Sequence, residues 1–384
     1  MSEIGVGIIG YGFIGRIHAA SYTNIPWMYP GAPRAKLVAV CTASEESAKR
    51  AQAEAGFPVA FTDYRELLRR EDIQAVSVCT PNDSHREIVL AALEAGKHIY
   101  CDKPLAFNLA QSEEVAAAAR GKSQIHQMTL QYRFIPAMRR AWQMVRDGFL
   151  GRMFSFRACY LHAGYIDSQR PMSWRLDWER SGGGAVVDLG AHAIDIVRYL
   201  AGDIRSVSAL QRTFIKERPS SSGGMAQVRV DDITMAQAEL ENGAVGTLEF
   251  SRLATGAEDE LRIELRGSQG ALAFNLMEPN WLSAYDMRRP ESPMGGERGW
   301  TRIATVGRYP EKGALPGPKF GQGWMRFHIA SAHDFLANVA KGRQSEHAPS
   351  FEDGLAAQRV IDAMQRSAVD GDWVEVACQR SSGS

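Results

Sequence analysis

Along the first 130 residues, short apolar runs alternate with stretches whose apolar positions recur at helical spacing. Residues 4–9, 36–41, 75–80, 98–101 and 124–130 read as strands, and residues 44–55, 63–70, 84–95 and 111–119 read as helices. Strands alternating with helices at this spacing predict an α/β fold with a parallel, doubly wound sheet. From about Tyr132 the alternation stops. Residues 139–147 predict a helix, 153–161 a strand and 184–200 one long helix. Residues 233–239, 244–250, 261–266 and 271–275 alternate apolar and polar positions, as strands of an antiparallel sheet buried on one face do. Residues 327–339 and 354–367 predict amphipathic core helices. The stretch from 286 to about 323 is rich in Gly, Pro and Arg and has little period. Such a length predicts disorder, or a lid or oligomer arm.

Gly10-Tyr11-Gly12-Phe13-Ile14-Gly15 lies between the first strand and a helix beginning near Arg16. Gly10 permits a tight turn, Gly12 lets a pyrophosphate approach the backbone, and Gly15 allows close packing of helix on strand; the helix N-terminus favours negative charge. A dinucleotide site follows. Lys103 stands between Asp102 and Pro104 just after the run 98–101, at the carboxyl edge where open α/β sheets bind ligands. Pro104 biases Lys103 towards extended geometry and gives its side chain a defined exit; the alternative is an ordinary surface lysine. Thr80-Pro81-Asn82 ends its strand on the same edge, as a ligand contact or as a simple turn. The acidic residue that commonly binds the adenosine ribose belongs near position 42, where the chain reads Cys41-Thr42-Ala43-Ser44. No carboxylate repels a 2′-phosphate there, and no cation occurs before Lys49 to attract one, although Arg16 could assist a phosphate. NAD is the expected cofactor, with NADP left open.

Charge and composition narrow the partners. The 384 residues carry 44 basic and 44 acidic side chains, enough chain for two domains and no net field to draw in nucleic acid or anionic lipid. The five cysteines, Cys41, Cys79, Cys101, Cys159 and Cys378, lack metal-ligand spacing and read as reduced, buried residues of a cytoplasmic protein. The start Met1-Ser2-Glu3 has no basic leader, and no 18-residue apolar run occurs, so neither secretion nor membrane insertion is expected. In the predicted helix 184–200, Asp188 and His192 fall one turn apart on one face, with Asp195 following and Gly182, Gly183 and Gly184 before them, allowing a ligand close to the helix start. The pair reads as catalytic or as a solvated or core pair. A third clustered ligand is lacking, so no metal site is expected.

In order along the chain stand Gly10-x-Gly12-x-x-Gly15-x-x-His18, Thr80-Pro81-Asn82-x-x-His85, Lys103-Pro104 and Gln131-Tyr132-Arg133-Phe134. Gly183-Gly184-x-x-x-Asp188-x-Gly190-x-His192-x-x-Asp195 and Pro349-Ser350-Phe351-Glu352-Asp353-Gly354 follow. Together they resemble the Gfo/Idh/MocA oxidoreductase family over nearly the whole chain. The resemblance implies a Rossmann domain over 1–130, then a substrate-binding and oligomerisation domain over 131–384 with an open, mainly antiparallel sheet, in a homodimer or homotetramer. It implies Lys103 and His192 as proton-handling residues and Asp188 as a partner of the substrate or of the histidine. Cofactor contacts are implied for Gly10, Tyr11, Gly12, Phe13, Ile14, Gly15, Thr42, Thr80, Pro81, Asn82, His85, Asp102, Lys103 and Gln131. Substrate contacts are implied for Lys103, Tyr132, Arg133, His162, Trp174, Arg175, Asp188 and His192.

Three positions depart from the family pattern: Asp102 replaces the usual Glu, Gln131 a frequent Asn, and Thr42 the common Asp. Ser173-Trp174-Arg175 and an insert after Gln211, with Arg218-Pro219 and Val230-Asp231-Asp232, look most like the family's glycoside 3-dehydrogenases. The implied reaction is oxidation of a secondary hydroxyl on a sugar ring, at C3, with hydride passing to nicotinamide and the proton to a protein base. Trp174 offers an apolar face to the ring, or is a core residue, and Arg175 and His162 suit hydroxyls. An inositol or other polyol dehydrogenase, and a non-catalytic cofactor-sensing regulator, are the alternatives.

Overall fold

The computed structural model describes residues 3–294, 296–307 and 313–377. By compactness the chain divides into Met1–Phe134 with Val306–Leu355, and Ile135–Thr305 with Ala356–Ser384. The units therefore do not follow a single cut at 130/131. The late helix Trp324–Lys341 buries Ile329, Phe335 and Leu336 in the same core as Val6, Ile8, Tyr22 and Tyr100, which is why its segment returns to the first unit.

The first unit runs β1 (Glu3–Ile9), α1 (Phe13–Met28), β2 (Arg34–Cys41), α2 (Glu45–Ala55), β3 (Val59–Phe61), α3 (Tyr64–Leu68) and β4 (Ala75–Val78). It continues with α4 (His85–Glu94), β5 (His98–Cys101), α5 (Leu109–Ala119) and β6 (His126–Met128). The strands lie in the order β3-β2-β1-β4-β5-β6, every neighbouring pair parallel. This is the doubly wound sheet the alternation predicts. On one face α1 and helix Trp324–Lys341 cover Val6, Ile8 and Tyr100; on the other, Ile88, Val89 and Leu93 of α4 and Val115 of α5 cover Ile9, Val76 and Ile99. Each such aliphatic side chain contributes roughly 1.5–3 kcal/mol on burial. Strand order reverses between β1 and β4, so a crevice opens at their carboxyl ends. β3 has three residues, too few to show a period in the sequence.

The second unit opens with α6 (Pro136–Arg146), β7 (Met153–Leu161), α7 (Trp178–Ser181), α8 (Ala185–Asp188) and α9 (Gly190–Ala201). Then come β8 (Ile204–Arg212), β9 (Glu217–Pro219), β10 (Met225–Gln227), β11 (Ile233–Leu240), β12 (Val245–Ser251), β13 (Glu260–Gly267), β14 (Gly270–Asn275), β15 (Trp281–Asp286), β16 (Trp300–Ala304) and β17 (Val374–Glu375). Nine strands form one sheet, ordered β16-β15-β14-β13-β7-β12-β11-β8-β17; only β7 and β12 pair in parallel within it. Met138 and Ala141 of α6 and Leu200 of α9 line a small apolar gap with Ile263, Leu265 and Leu272, so these helices cover one sheet face. Leu210, Met235, Arg157 and Arg262 stand exposed on the sheet's strands.

Three expectations are corrected here. The helix expected over 184–200 is two helices, α8 and α9, parted at Leu189, so Asp188 and His192 do not share one continuous helix. The segment from 286 is partly ordered, because β15 and β16 form a hairpin with Trp281 opposite Ala304 and Tyr285 opposite Trp300. Cys159 is half-buried, whereas Cys41, Cys79 and Cys101 are buried, and all four are free thiols. Cys378 and the tail 381–384 lie outside the described residues, as do Met1 and Ser2. Among the described residues no helix is long and apolar enough to cross a membrane.

Candidate active site

Three glycines shape the first turn of the parallel sheet. Gly10 has φ +93°, and a Cβ there would lie 2.5 Å from the Cys79 carbonyl oxygen. A Cβ on Gly15 would meet the Gly10 carbonyl oxygen at 2.1 Å, whereas one on Gly12 would find nothing within 4 Å. Gly12 is also the N-cap of α1 and offers no side-chain cap. The first N–H groups of a 16-residue helix are therefore left by their own sequence to an external acceptor. Beside them Tyr11 is buried edge-on against Phe57, Phe13 is exposed near Trp324, and Ile14 is half-buried. Arg16 pairs with Glu54 at 3.0 Å, which engages the cation expected to assist a phosphate. At the end of β2, the Thr42 hydroxyl donates to the Ser44 carbonyl (2.9 Å) and accepts from the Ser47 hydroxyl (2.7 Å). A hydroxyl cluster thus stands where a carboxylate would bind ribose.

Two further turns leave the same edge. The Thr80 hydroxyl and the Gln131 amide oxygen are buried without a hydrogen-bond partner among the described residues. Asn82 is buried at the start of a short 3-10 turn. His85, wholly enclosed, faces the Pro104 carbonyl from Nδ1 (2.8 Å) and the Thr80 carbonyl from Nε2 (3.0 Å). The Asp102 carboxylate accepts the Lys103 backbone N–H at 2.9 Å, so the short acid caps its own turn. Lys103 is half-buried, and its bond to Pro104 is cis. Tyr132 is buried and its hydroxyl accepts from Trp324 Nε1 (3.2 Å); Arg133 is buried and paired with Asp353 at 2.9 Å. The late Pro349–Gly354 motif thus supplies the counter-ion of Arg133. Behind the sheet, burial lowers the pKa of His18 to about 3, and burial together with His18 lowers that of His328.

In the second unit the glycine run serves chain packing. Gly184 and Val186 donate their N–H groups to the two Asp231 carboxylate oxygens (2.7 and 2.9 Å), and Thr234 adds its hydroxyl (2.8 Å). A Cβ on Gly184 would lie 1.8 Å from the Asp231 carbonyl oxygen. The start of α8 is therefore closed by Asp231, which corrects the expectation that these glycines admit a ligand. At its other end, Asp188 accepts from Arg252 Nη2 at 3.0 Å. Arg252 is buried, also donates to the Arg175 carbonyl (3.3 Å) and lies over the Tyr165 ring. Burial opposes its charge, but Asp188, Tyr165 and Asp231 outweigh burial and raise its pKa. Asp188 thus faces a fixed cation.

His192 is buried with its ring edge-on to Tyr160 at 6.0 Å. Tyr160 donates to Asp259 (2.6 Å), and His162 Nε2 lies 3.0 Å from the same carboxylate oxygen. Trp174 is half-buried and stacked by the Arg175 guanidinium at 4.5 Å. The insert holds the loop that leads to it: Arg218, fully buried, donates to the Tyr165 and Asp167 carbonyls, and the Asp232 carboxylate accepts from the Phe214 and Ile215 N–H groups. Sequence reasoning missed Tyr160, Arg252 and Asp259. Each lies at or beside the end of a strand, in β7, just after β12 and just before β13, the one signal that could have found them.

Residues 4–130 match the oxidoreductase family with an NAD-binding Rossmann fold, and residues 138–273 match the GFO/IDH/MocA C-terminal domain. The chain belongs to the Gfo/Idh/MocA family. It is 35% identical to a levoglucosan dehydrogenase of Pseudarthrobacter phenanthrenivorans, covering 98% of this chain and 99% of that protein. An inositol 2-dehydrogenase of Rhizobium meliloti is 28% identical, over 97% and 98% of the two chains. Among solved structures, levoglucosan dehydrogenase in complex with NADH superposes with a TM-score of 0.93 at 34% identity, covering 98% of this chain and 100% of that one.

The residues of this Gfo/Idh/MocA protein fit an NAD molecule. The open space at Gly12, the uncapped start of α1 and the unpartnered Thr80 hydroxyl lie along one sheet edge. These groups suit a pyrophosphate and a polar nucleotide edge. The protein is an NAD-dependent oxidoreductase.

Proposed function

We propose that the protein oxidises a secondary ring hydroxyl of levoglucosan or a related glucoside, at C3, with NAD as oxidant. One observation carries the reading. In a single unit, Asp188 fixed by Arg252, the Tyr160–Asp259–His162 cluster beside His192, and the half-buried Trp174 gather hydroxyl-binding groups with an aromatic face. A ring bearing several hydroxyls uses such a set; an apolar substrate does not. The 35% identity to a levoglucosan dehydrogenase supports the sugar.

Nicotinamide, when bound, supplies the hydride acceptor. Gly10, Gly12, Gly15, Thr42, Thr80, Pro81 and Asn82 are assigned to holding the cofactor. Lys103, leaving the carboxyl edge of β5, takes the hydroxyl proton with His192. Asp188 accepts a hydrogen bond from a neighbouring hydroxyl, and Trp174, Arg175, His162, Tyr132 and Arg133 shape the substrate's surroundings. The exposed pair Leu210 and Met235, opposite each other in β8 and β11, supports a homodimer or homotetramer joined through the open sheet. The free cysteines support a cytoplasmic setting.

An inositol is the second reading, favoured by the inositol 2-dehydrogenase relative. Nicotinamide absorbance, followed with NAD or NADP against levoglucosan, glucosides, glucose and inositols, tests both. Reduction of NAD by levoglucosan or a glucoside is expected, and product analysis should find the ketone at C3. Turnover of inositols alone overturns the sugar assignment. Tight NADH binding without turnover of any of them, and without reduction of bound cofactor, leaves a cofactor-sensing role.

A further inference from the structure

Resting on the reading of Lys103 as the proton-handling group, we propose that His85 is a positioning residue: it braces the Lys103–Pro104 turn against the Thr80 turn of the adjacent strand. β4 and β5 are parallel neighbours with Val78 opposite Cys101, so the two turns leave the sheet side by side. The last rung between them is the bond from the Asp102 N–H to the Val78 carbonyl, 2.9 Å. Past that rung the imidazole of His85 spans the gap, with Nδ1 2.8 Å from the Pro104 carbonyl and Nε2 3.0 Å from the Thr80 carbonyl.

A ring N–H donates to the carbonyl it faces, that of Pro104 from Nδ1 or that of Thr80 from Nε2. His85 is itself the first residue of α4, and its backbone N–H donates to the Asn82 carbonyl of the 3-10 turn that follows Thr80, so the ring is anchored on the Thr80 side and reaches across to Pro104. The Cys101 thiol closes the remaining side, 3.8 Å from Nδ1. With no exposed surface and carbonyls at both ring nitrogens, His85 has no edge to offer a substrate or a cofactor. The cofactor contact expected from the motif Thr80-Pro81-Asn82-x-x-His85 is therefore indirect. Asp102 caps the Lys103 N–H at 2.9 Å, and with His85 it fixes where the lysine amine leaves the sheet.

The test is a double-mutant cycle between His85→Ala and Lys103→Ala, read as kcat at saturating NAD with levoglucosan, or with the best alcohol of the screen. Single-turnover mixing at high enzyme concentration reads the slow variants. A misplaced amine lowers kcat about 100-fold in His85→Ala, and because the loss acts through Lys103 it shrinks below about 3-fold on the Lys103→Ala background. KM for the alcohol stays within about 3-fold, and His85→Gln, which keeps one donor, recovers about half of the logarithmic loss. Equal losses on the two backgrounds, or near-normal kcat in His85→Ala, overturn the proposal. Should His85→Ala fail to fold, His85→Gln carries the same cycle, its smaller loss again having to vanish without Lys103. A near-normal Lys103→Ala overturns the reading of the lysine itself and is seen separately.

Discussion

At the carboxyl edge of the parallel sheet, position is set by groups close in sequence: Gly10 and Gly15, which admit no Cβ, a turn capped by Asp102, and His85 set between two carbonyls. In the second unit, position is set by side chains from distant parts of the chain. Asp188 is held by Arg252, 64 residues later, and Gly184 by Asp231, 47 residues later. The first arrangement gives Lys103, the residue proposed to handle the proton, a turn held by Asp102 and His85. The second joins chemistry and folding, since Asp188, proposed to bind a substrate hydroxyl, is also the partner of the buried Arg252.

The sharpest way to break this contrast is Asp188→Ala. It leaves the buried Arg252 cation without its carboxylate, and about 3–5 kcal/mol of stability should be lost; a loss of unfolding free energy below about 1 kcal/mol in denaturant titrations would contradict the coupling. Gly184→Ala follows. Its Cβ would collide with the Asp231 carbonyl oxygen at 1.8 Å, at a cost of about 3 kcal/mol. Gly12→Ala, with nothing within 4 Å, should change stability by less than about 0.5 kcal/mol while weakening NADH binding at least about 10-fold. Equal destabilisation by the two alanines would erase the contrast.

Acid sharpens it from the other side. His18 is held neutral, its pKa lowered to about 3 by burial, so the unfolded chain takes up the proton first. The resulting stability is complete above the ordinary value near 6.5 and is lost as pH falls from there towards 3. About 2 kcal/mol should be gone by pH 5. His328 is shifted in the same direction, with both ring nitrogens unpartnered among the described residues. His328→Leu should therefore flatten the fall in stability between pH 6.5 and 5; an unchanged slope in urea titrations at several pH values would refute this.

The same contrast explains what could be read from the sequence. Gly10, Gly12, Gly15 and Lys103 stand beside the strands that position them, so local pattern reveals both motif and place. β15 and β16 escaped because their strands flank a Gly- and Pro-rich stretch, and the hairpin is visible only once Trp281 meets Ala304. Arg252 and Asp259 carry no motif of their own; their meaning comes from Asp188 and from Tyr160 and His162, which only the folded sheet brings near. The single helix expected across Asp188 and His192 failed because periodicity continues through Leu189 although the helix does not. Arg133 reads as a substrate ligand by sequence and finds Asp353 in the structure, a partner 220 positions on.

The central claim is that the parallel-sheet edge carries separable chemistry on Lys103, and Lys103→Ala tests it most directly. In one sample, NADH binding by fluorescence, thermal stability and alcohol-dependent NAD reduction are measured together. The account predicts NADH affinity within about 3-fold of the parent, stability within about 1 kcal/mol, and kcat reduced by about 1,000-fold or more. Near-normal kcat, or a collapse of stability that accounts for the lost turnover, would contradict it.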